Sequence, residues 1–147
     1  MRELYETGWM HNRVRMVVAS FLVKHLRIHW MEGEKHFKNH LIDYNEASNV
    51  AQWQWVAGCG ADAAPYFRIF NPILQGLKFD KDGIYTKKWV PELENMPIKF
   101  LHNPWELESK YQEQIKIIIG KDYPEPIVVH EEARAAALKA FQSIKKK

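Results

Sequence analysis

Nine residues near the amino end could do chemistry. Gly8-Trp9-Met10-His11-Asn12-Arg13-Val14-Arg15-Met16 gathers a tryptophan, a histidine, an asparagine and two arginines at the start of an apolar run. Gly8 is a natural break, because glycine takes the positive φ that ends a helix. Asn12 is expected to cap the next helix through its side-chain oxygen. Polar and cationic groups then stand at a helix mouth, where free N–H donors favour anions and polar ligands. A capped helix with two solvated arginines is the simpler reading, and spacing alone favours it. A second group lies on a helix expected from Asp43 to Gly58. There Asn45, Asn49 and Trp53 recur at i, i+4 and i+8 and share one face. Trp55 falls about 200° around from Trp53, so the two indoles meet different surroundings. Packing alone would also place them so.

Other patterns are weaker. His25 and His29 make half of a metal site at i, i+4, but no third ligand follows at a useful spacing, so no metal is expected. There is no phosphate-cradling glycine loop. Ser20 and Ser48 lack the glycine-flanked turn of a hydrolytic nucleophile. Glu32 with Glu34, and Glu131 with Glu132, read as solvated charges at helix starts.

The elements that must hold these residues read as helices, giving an all-α, multi-helical bundle. Met1 to Thr7 reads as the tail of a helix. Val14, Val17, Val18, Phe21, Leu22 and Leu26 predict a helix from about Asn12 to Leu26. A third opens at Trp30. After Gly58-Cys59-Gly60, Pro65, Asn71 and Pro72 mark Ala64 to Pro72 as a loop in which Arg68 sits among Tyr66, Phe67 and Phe70. Short helices are expected at Pro72–Leu77 and Thr86–Leu93, and an irregular wrap over the core at Asn95–Glu106. Ile115–Ile119 could be a strand but has no partner in view. A last helix from about His130 to Ile144 carries Ala133, Ala137, Leu138, Phe141 and Ile144 on one stripe and ends in Lys145-Lys146-Lys147, which suits the negative pole of a helix.

The 147 residues suit one domain or a large piece of one, and 46% apolar content suffices for a core. The net charge of +3 permits nucleic-acid binding without indicating it. One cysteine, Cys59, excludes an internal disulfide and fits a reducing compartment such as the cytoplasm. No apolar run approaches membrane-spanning length.

The runs in order resemble the flavin-binding helical domain of the photolyase/cryptochrome family. They are Met1 to Met16 with Thr7-Gly8-Trp9-Met10-His11-Asn12-Arg13, Ala19 to Lys24, Trp30 with Glu32-Gly33-Glu34, and Leu41-Ile42-Asp43. Asn49 with Trp53-Gln54-Trp55, Asp62 to Pro72, Trp89 to Leu93 and Tyr123 to Val128 follow. The likeness covers essentially the whole chain. It is greatest to the class I cyclobutane pyrimidine dimer photolyases. The (6-4) enzymes usually carry a second histidine at the position of Asn12, so His11-Asn12 favours dimer repair.

What the resemblance implies is blue-light-driven electron transfer from a folded, reduced FAD to a flipped-out thymine dimer in DNA, whose cyclobutane ring then splits. On the matching positions, Asp43, Tyr44, Asn45, Arg15, Asn49 and Trp9 would hold the flavin, with Arg15 paired to Asp43 and Asn49 facing the reactive flavin nitrogen. Asn12, Arg13, Met16, Trp55, Gln75 and Arg68 would meet the lesion or its DNA. Trp53 and Trp30 would be the inner and middle members of an electron relay. Asn45 departs from the family, which commonly has an acid there. The family's antenna domain and the first part of its helical domain do not precede Met1. The chain is therefore expected to be a C-terminal portion that by itself holds little FAD and repairs little. The surface meant for the missing portion is expected to drive self-association. A cryptochrome-like light sensor and a helical domain without cofactor are the alternatives.

Overall fold

A computed structural model describes residues 1–145. Lys146, Lys147 and the side chain of Lys145 lie outside it, and with them the basic end read from the sequence. The helices are α1 (Arg2–Thr7), α2 (Asn12–Ser20), α3 (Trp30–His40), α4 (Glu46–Ala57), α5 (Pro72–Phe79), α6 (Ile84–Trp89), α7 (Ser109–Ile115) and α8 (His130–Lys145). Among the described residues the only β-type pairing is a bridge between Ile119 and Tyr123. Ile115–Ile119 is thus not a strand: Ile115 ends α7, a helix the sequence reading missed.

The chain divides into two compact units, Met1–Phe70 with Val128–Lys147, and Asn71–Ile127. The first has a core of Leu4, Met10, Ala19, Phe37, Leu41, Trp53 and Val56. The second has its own core of Leu93, Met96, Leu101, Leu107 and Ile117. The stretch Asn95–Glu106 therefore does not wrap a shared core. It supplies Met96 and Leu101 to the core of the second unit, with Phe100 of the 3₁₀ turn Ile98–Phe100 packed against them. The expected helix at Thr86–Leu93 is likewise split into α6 and a 3₁₀ turn at Pro91–Leu93, because Pro91 has no N–H to continue the ladder.

Local chemistry explains the ends in the first unit. Gly8 closes α1 at φ 69°, and its carbonyl accepts the Ile42 N–H at 2.9 Å, tying α1 to the loop before α4. A Cβ on Gly8 would lie 2.5 Å from Ile42 Cγ2, so glycine is required by conformation and by space. The cap of α2 is His11, not Asn12: its Nδ1 accepts the Arg13 N–H at 3.1 Å, and Asn12 is the first helical residue. The expected helix to Leu26 is α-helical only to Ser20. Phe21–His25 widens into a π-turn, with the Leu26 N–H bonded to the Phe21 carbonyl at 3.0 Å. Asn45 precedes α4 as its cap, accepting the Ser48 N–H at 3.0 Å. Asn45 still lines the same hollow as Asn49 and Trp53, the face that the sequence spacing gave them. On α8, Ala137 is fully buried while Ile144, expected on the apolar stripe, is exposed.

Candidate functional site

The loop before α4, the face of α4 and the start of α2 enclose a hollow of about 380 Å³ in the first unit. Phe37, Leu41, Val56, Ala19 and Trp53 form its apolar floor, and Asn12, Arg15, Asp43, Asn45 and Asn49 stand at its polar edge with Met16 and Tyr44. An apolar floor under a polar edge suits a ligand with an apolar body and a few polar edge groups.

Each edge group is held by an identifiable partner. The Arg15 Nη2 donates to both oxygens of Asp43, at 3.0 and 2.7 Å, while its Nε donates to the Met10 carbonyl at 2.6 Å. The pair is partly solvated, so it orients more than it stabilises. The Asn49 Nδ2 donates to the Glu34 carbonyl and to Glu34 Oε1, both at 3.1 Å. Its amide donors are thus committed to α3, and its carbonyl oxygen is the atom left for a ligand. The Tyr44 hydroxyl donates to the same Glu34 Oε1 at 3.3 Å. Burial, reinforced by that carboxylate, raises the Tyr44 hydroxyl above its ordinary range. Glu34 is the residue that sequence reasoning misplaced. Read as a solvated charge, it is half-buried and orients both Asn49 and Tyr44. Only the fifteen-residue distance to Asn49 hides it.

The floor is set by close packing. Trp53 is 2% exposed, and the Phe37 ring meets it edge-on at 5.1 Å. Its six-membered ring lies on Gly33, where a Cβ would come within 2.1 to 2.6 Å of three ring carbons. Trp30, at the start of α3, is half-buried against the same core.

Other residues singled out from the sequence lie elsewhere. Trp9 is 42% exposed and is not among the residues lining the hollow; its ring stands edge-on to His11. Arg13 also lies outside the lining, its N–H engaged by His11. Trp55 is not among the residues lining the hollow; it packs partly against the core and carries the Arg68 guanidinium 5.6 Å from its ring centre. Gln75 belongs to α5 in the second unit. His25 and His29 do not converge. His25 Nε2 lies 2.8 Å from His130 Nδ1 on α8, and His29 caps α3 through the Met31 N–H. Among the described residues no three His, Cys, Asp or Glu side chains are placed to hold a metal, and no helix is long and apolar enough to cross a membrane.

Comparison with known proteins supplies a context for this geometry. A family model described as the FAD binding domain of DNA photolyase matches residues 1–143. A deoxyribodipyrimidine photo-lyase of Agrobacterium fabrum is 56% identical over 146 residues, and one of Escherichia coli is 51% identical over 146; both alignments cover 99% of this chain and 30% of the relative. Among solved structures, a bacterial class III photolyase from Agrobacterium tumefaciens superposes with a TM-score of 0.95 at 55% identity, covering 99% of this chain and 30% of that one. A Synechocystis cryptochrome gives 0.90 at 43%, covering 95% and 29%. The chain thus spans about 30% of the length of the relatives it matches. With the matched model covering nearly all of it, this chain belongs to the family of FAD-binding domains of DNA photolyases.

Proposed function

We propose that this chain forms the ring-binding part of the flavin pocket, and part of the lesion-binding surface, of a deoxyribodipyrimidine photolyase acting on cyclobutane pyrimidine dimers in DNA. The observation that carries the reading is the convergence of the Arg15–Asp43 pair and Asn49 on one hollow floored by Trp53. The donor set fits a flavin ring: an apolar floor for its face, and amide, carboxylate and guanidinium groups for its polar edge. It does not by itself fit the pyrophosphate, because the one arginine lining the hollow is committed to Asp43 and no lysine lines it.

The flavin, when bound, supplies light-driven electron transfer to the dimer. This chain's residues do the rest. Arg15 and Asp43 fix each other beside the ring, and Tyr44 and Asn45 shape the same edge. Asn49, turned by Glu34, presents its carbonyl oxygen. Trp53 and Trp30 provide the inner and middle aromatic steps for an electron approaching the hollow. Asn12 and Met16 at the rim, with Arg13, meet the lesion. Trp55 and Arg68 form a stacking wall for the extruded bases, and Gln75 is a DNA contact. Trp9 takes part only if a further surface closes over it.

Class I, expected from the motifs, is not the class that the comparisons favour. Likeness to a protein described as a class III photolyase supports class III instead. A cryptochrome-like sensor is the second reading, favoured by the Synechocystis structure. Retention of Asn12, Arg13 and Trp55, which a sensor does not need, supports repair.

The site also supports two statements about the chain taken alone. With only the ring end of the pocket it retains little flavin, and exposed Tyr5, Trp9, Ile28, Met31, Ile42 and Phe67 promote self-association. The exposed free thiol of Cys59 suits the reducing cytoplasm. The decisive experiment is blue-light repair of a thymine-dimer oligonucleotide by a full-length photolyase bearing this segment. Dimer splitting supports the reading, and flavin binding without splitting supports the sensor. Stoichiometric flavin absorbance in the purified chain would overturn the statement about the chain alone.

A further inference from the structure

The Arg68 guanidinium lies over Trp55, yet Arg68 is exposed and a surface cation–π contact is weak. The contact cannot by itself fix a loop. The fixing groups are on the opposite side of the loop, in the core. Lys24, in the π-turn, is 1% exposed, and its Nζ donates to the Arg68 backbone carbonyl at 3.0 Å. The same ammonium sits 5.1 Å from the centre of the Tyr66 ring. Ser20, also 1% exposed, accepts the Phe70 N–H on its hydroxyl at 3.3 Å. At the other end of the loop the Ala64 N–H bonds to the Trp55 carbonyl at 3.0 Å.

A buried charged hydrogen bond outweighs an exposed cation–π contact roughly two-fold or more. The buried side therefore decides where the loop sits. Electrostatics decides where the Arg68 side chain goes. Its backbone carbonyl is drawn to a cation, while its own guanidinium is repelled by that cation and is driven outward, over Trp55. The two charges do sense each other. Burial first, and Arg68 second, bring the Lys24 ammonium down to about 8. A lysine in this place does something no apolar residue of its size could do, since it alone supplies the donor that the Arg68 carbonyl uses.

We propose that Lys24, assisted by Ser20, is a positioning residue that holds the Pro65–Phe70 loop so that Arg68 covers Trp55, and that it thereby sets affinity for the lesion. The second half rests on Trp55 being the stacking wall proposed above; the first half does not.

The test has two arms. In the first, indole N–H signals of the chain are recorded by NMR for wild type, Arg68→Ala, Lys24→Met and Ser20→Ala. Arg68→Ala defines the Trp55 signal without its cation. Lys24→Met is expected to move the Trp55 signal to that position while the Trp53 signal stays, and Ser20→Ala to move it part of the way. Should Lys24→Met fail to fold, seen as loss of the Trp53 signal, Ser20→Ala decides by the same criterion. A Trp55 signal unmoved in the variants that fold overturns the positioning role. In the second arm, Lys24→Met in a full-length photolyase bearing this segment is expected to weaken binding of a single-stranded thymine-dimer oligonucleotide by roughly three- to tenfold, a fraction of what base–aromatic stacking is worth. The rate of splitting once bound and the flavin content stay as they were. A moved Trp55 signal with unchanged dimer affinity overturns the link to the lesion and leaves the positioning role standing.

Discussion

Replacing Gly33 by alanine is ordinarily a stabilising change within a helix, worth about 1 kcal/mol. In α3 it is expected to do the opposite. The added Cβ would lie 2.1, 2.4 and 2.6 Å from Cη2, Cζ3 and Cζ2 of Trp53, whereas ordinary contact begins at 3.4 Å. Those atoms belong to a rigid ring, so no flexible tip can swing away. The ring is 2% exposed and meets Phe37 edge-on, so it can recede only toward the hollow, at the expense of the floor. Overpacking of this kind costs about 1–3 kcal/mol. An obstacle touching three ring atoms belongs at the upper end, so after the helix-propensity gain the net loss is about 1–2 kcal/mol. Because the chain has two compact units, one melting curve need not report one transition. Amide exchange in α3 and α4 reads the local free energy directly. Adding Trp53→Phe, which makes room for the methyl, is expected to recover about 1 kcal/mol as a coupling term in the double-mutant cycle. Unchanged or slower exchange in α3 and α4 of Gly33→Ala would refute the claim that glycine is there for the indole.

Three further outcomes follow from the same contacts. Asn45→Ala removes the cap oxygen from the Ser48 N–H and is expected to cost about 1 kcal/mol in the first turn of α4, whereas Asn45→Asp keeps the cap and stays within about 0.5 kcal/mol, both read by amide exchange. Asp43→Asn is expected to change stability by less than about 1 kcal/mol, since the carboxylate is 46% exposed, yet to lower flavin affinity of a full-length protein more than tenfold; unchanged flavin affinity in a titration would count against the pair's role. Burial, and then the facing His130, lower His25 below the ordinary imidazole value of 6.5, opposed by the Ser20 backbone. The unfolded chain therefore binds the extra proton first, and the contribution of His25 to stability is complete above pH 6.5 and lost as pH falls below it. His25→Leu should flatten the acid side of the melting-temperature profile; an unaltered slope would show that other groups, such as His36, which is lowered in the same way, set it.

What could be read from the sequence was what neighbouring residues determine. Gly8 and Gly58 both end helices in the left-handed region, and Asn71 with Pro72 opens α5, as their types require. The residues edging the hollow were also legible, because the motifs carrying them keep their family spacing. Misreadings arose where side chains one residue apart compete or where a partner is distant. His11 took the place of Asn12 as the cap because its imidazole Nδ1 reaches the Arg13 N–H, which starts the helix one residue earlier. Asn45, put beside Asn49 and Trp53 by counting, does line the hollow with them, but counting did not show that it also caps α4. The short α7 ends at Lys116 in the left-handed region, where a lysine gives no warning. Glu34 and Lys24 are charged residues amid ordinary helical sequence, and only contacts 15 and 44 residues away give them their roles.

Helix α4 joins these threads, since it carries the floor of the hollow on one side and Trp55 on the other. Its rotation about its own axis is fixed from both sides, but not with equal stiffness. Trp53 is held between Gly33 and Phe37, with free space only toward the hollow. Trp55 is half-buried and faces a mostly exposed loop held by three hydrogen bonds and by Tyr66, stacked on Phe141 at 4.1 Å. A disturbance at the stiff side must therefore pass through the helix to the soft side, while one at the soft side is absorbed by the loop. Gly33→Ala is accordingly expected to shift the Trp55 indole signal as well as that of Trp53, whereas Lys24→Met shifts Trp55 alone. If Gly33→Ala moves Trp53 and leaves Trp55 in place, α4 is not a rigid partition, and the floor of the hollow and the stacking wall are set independently.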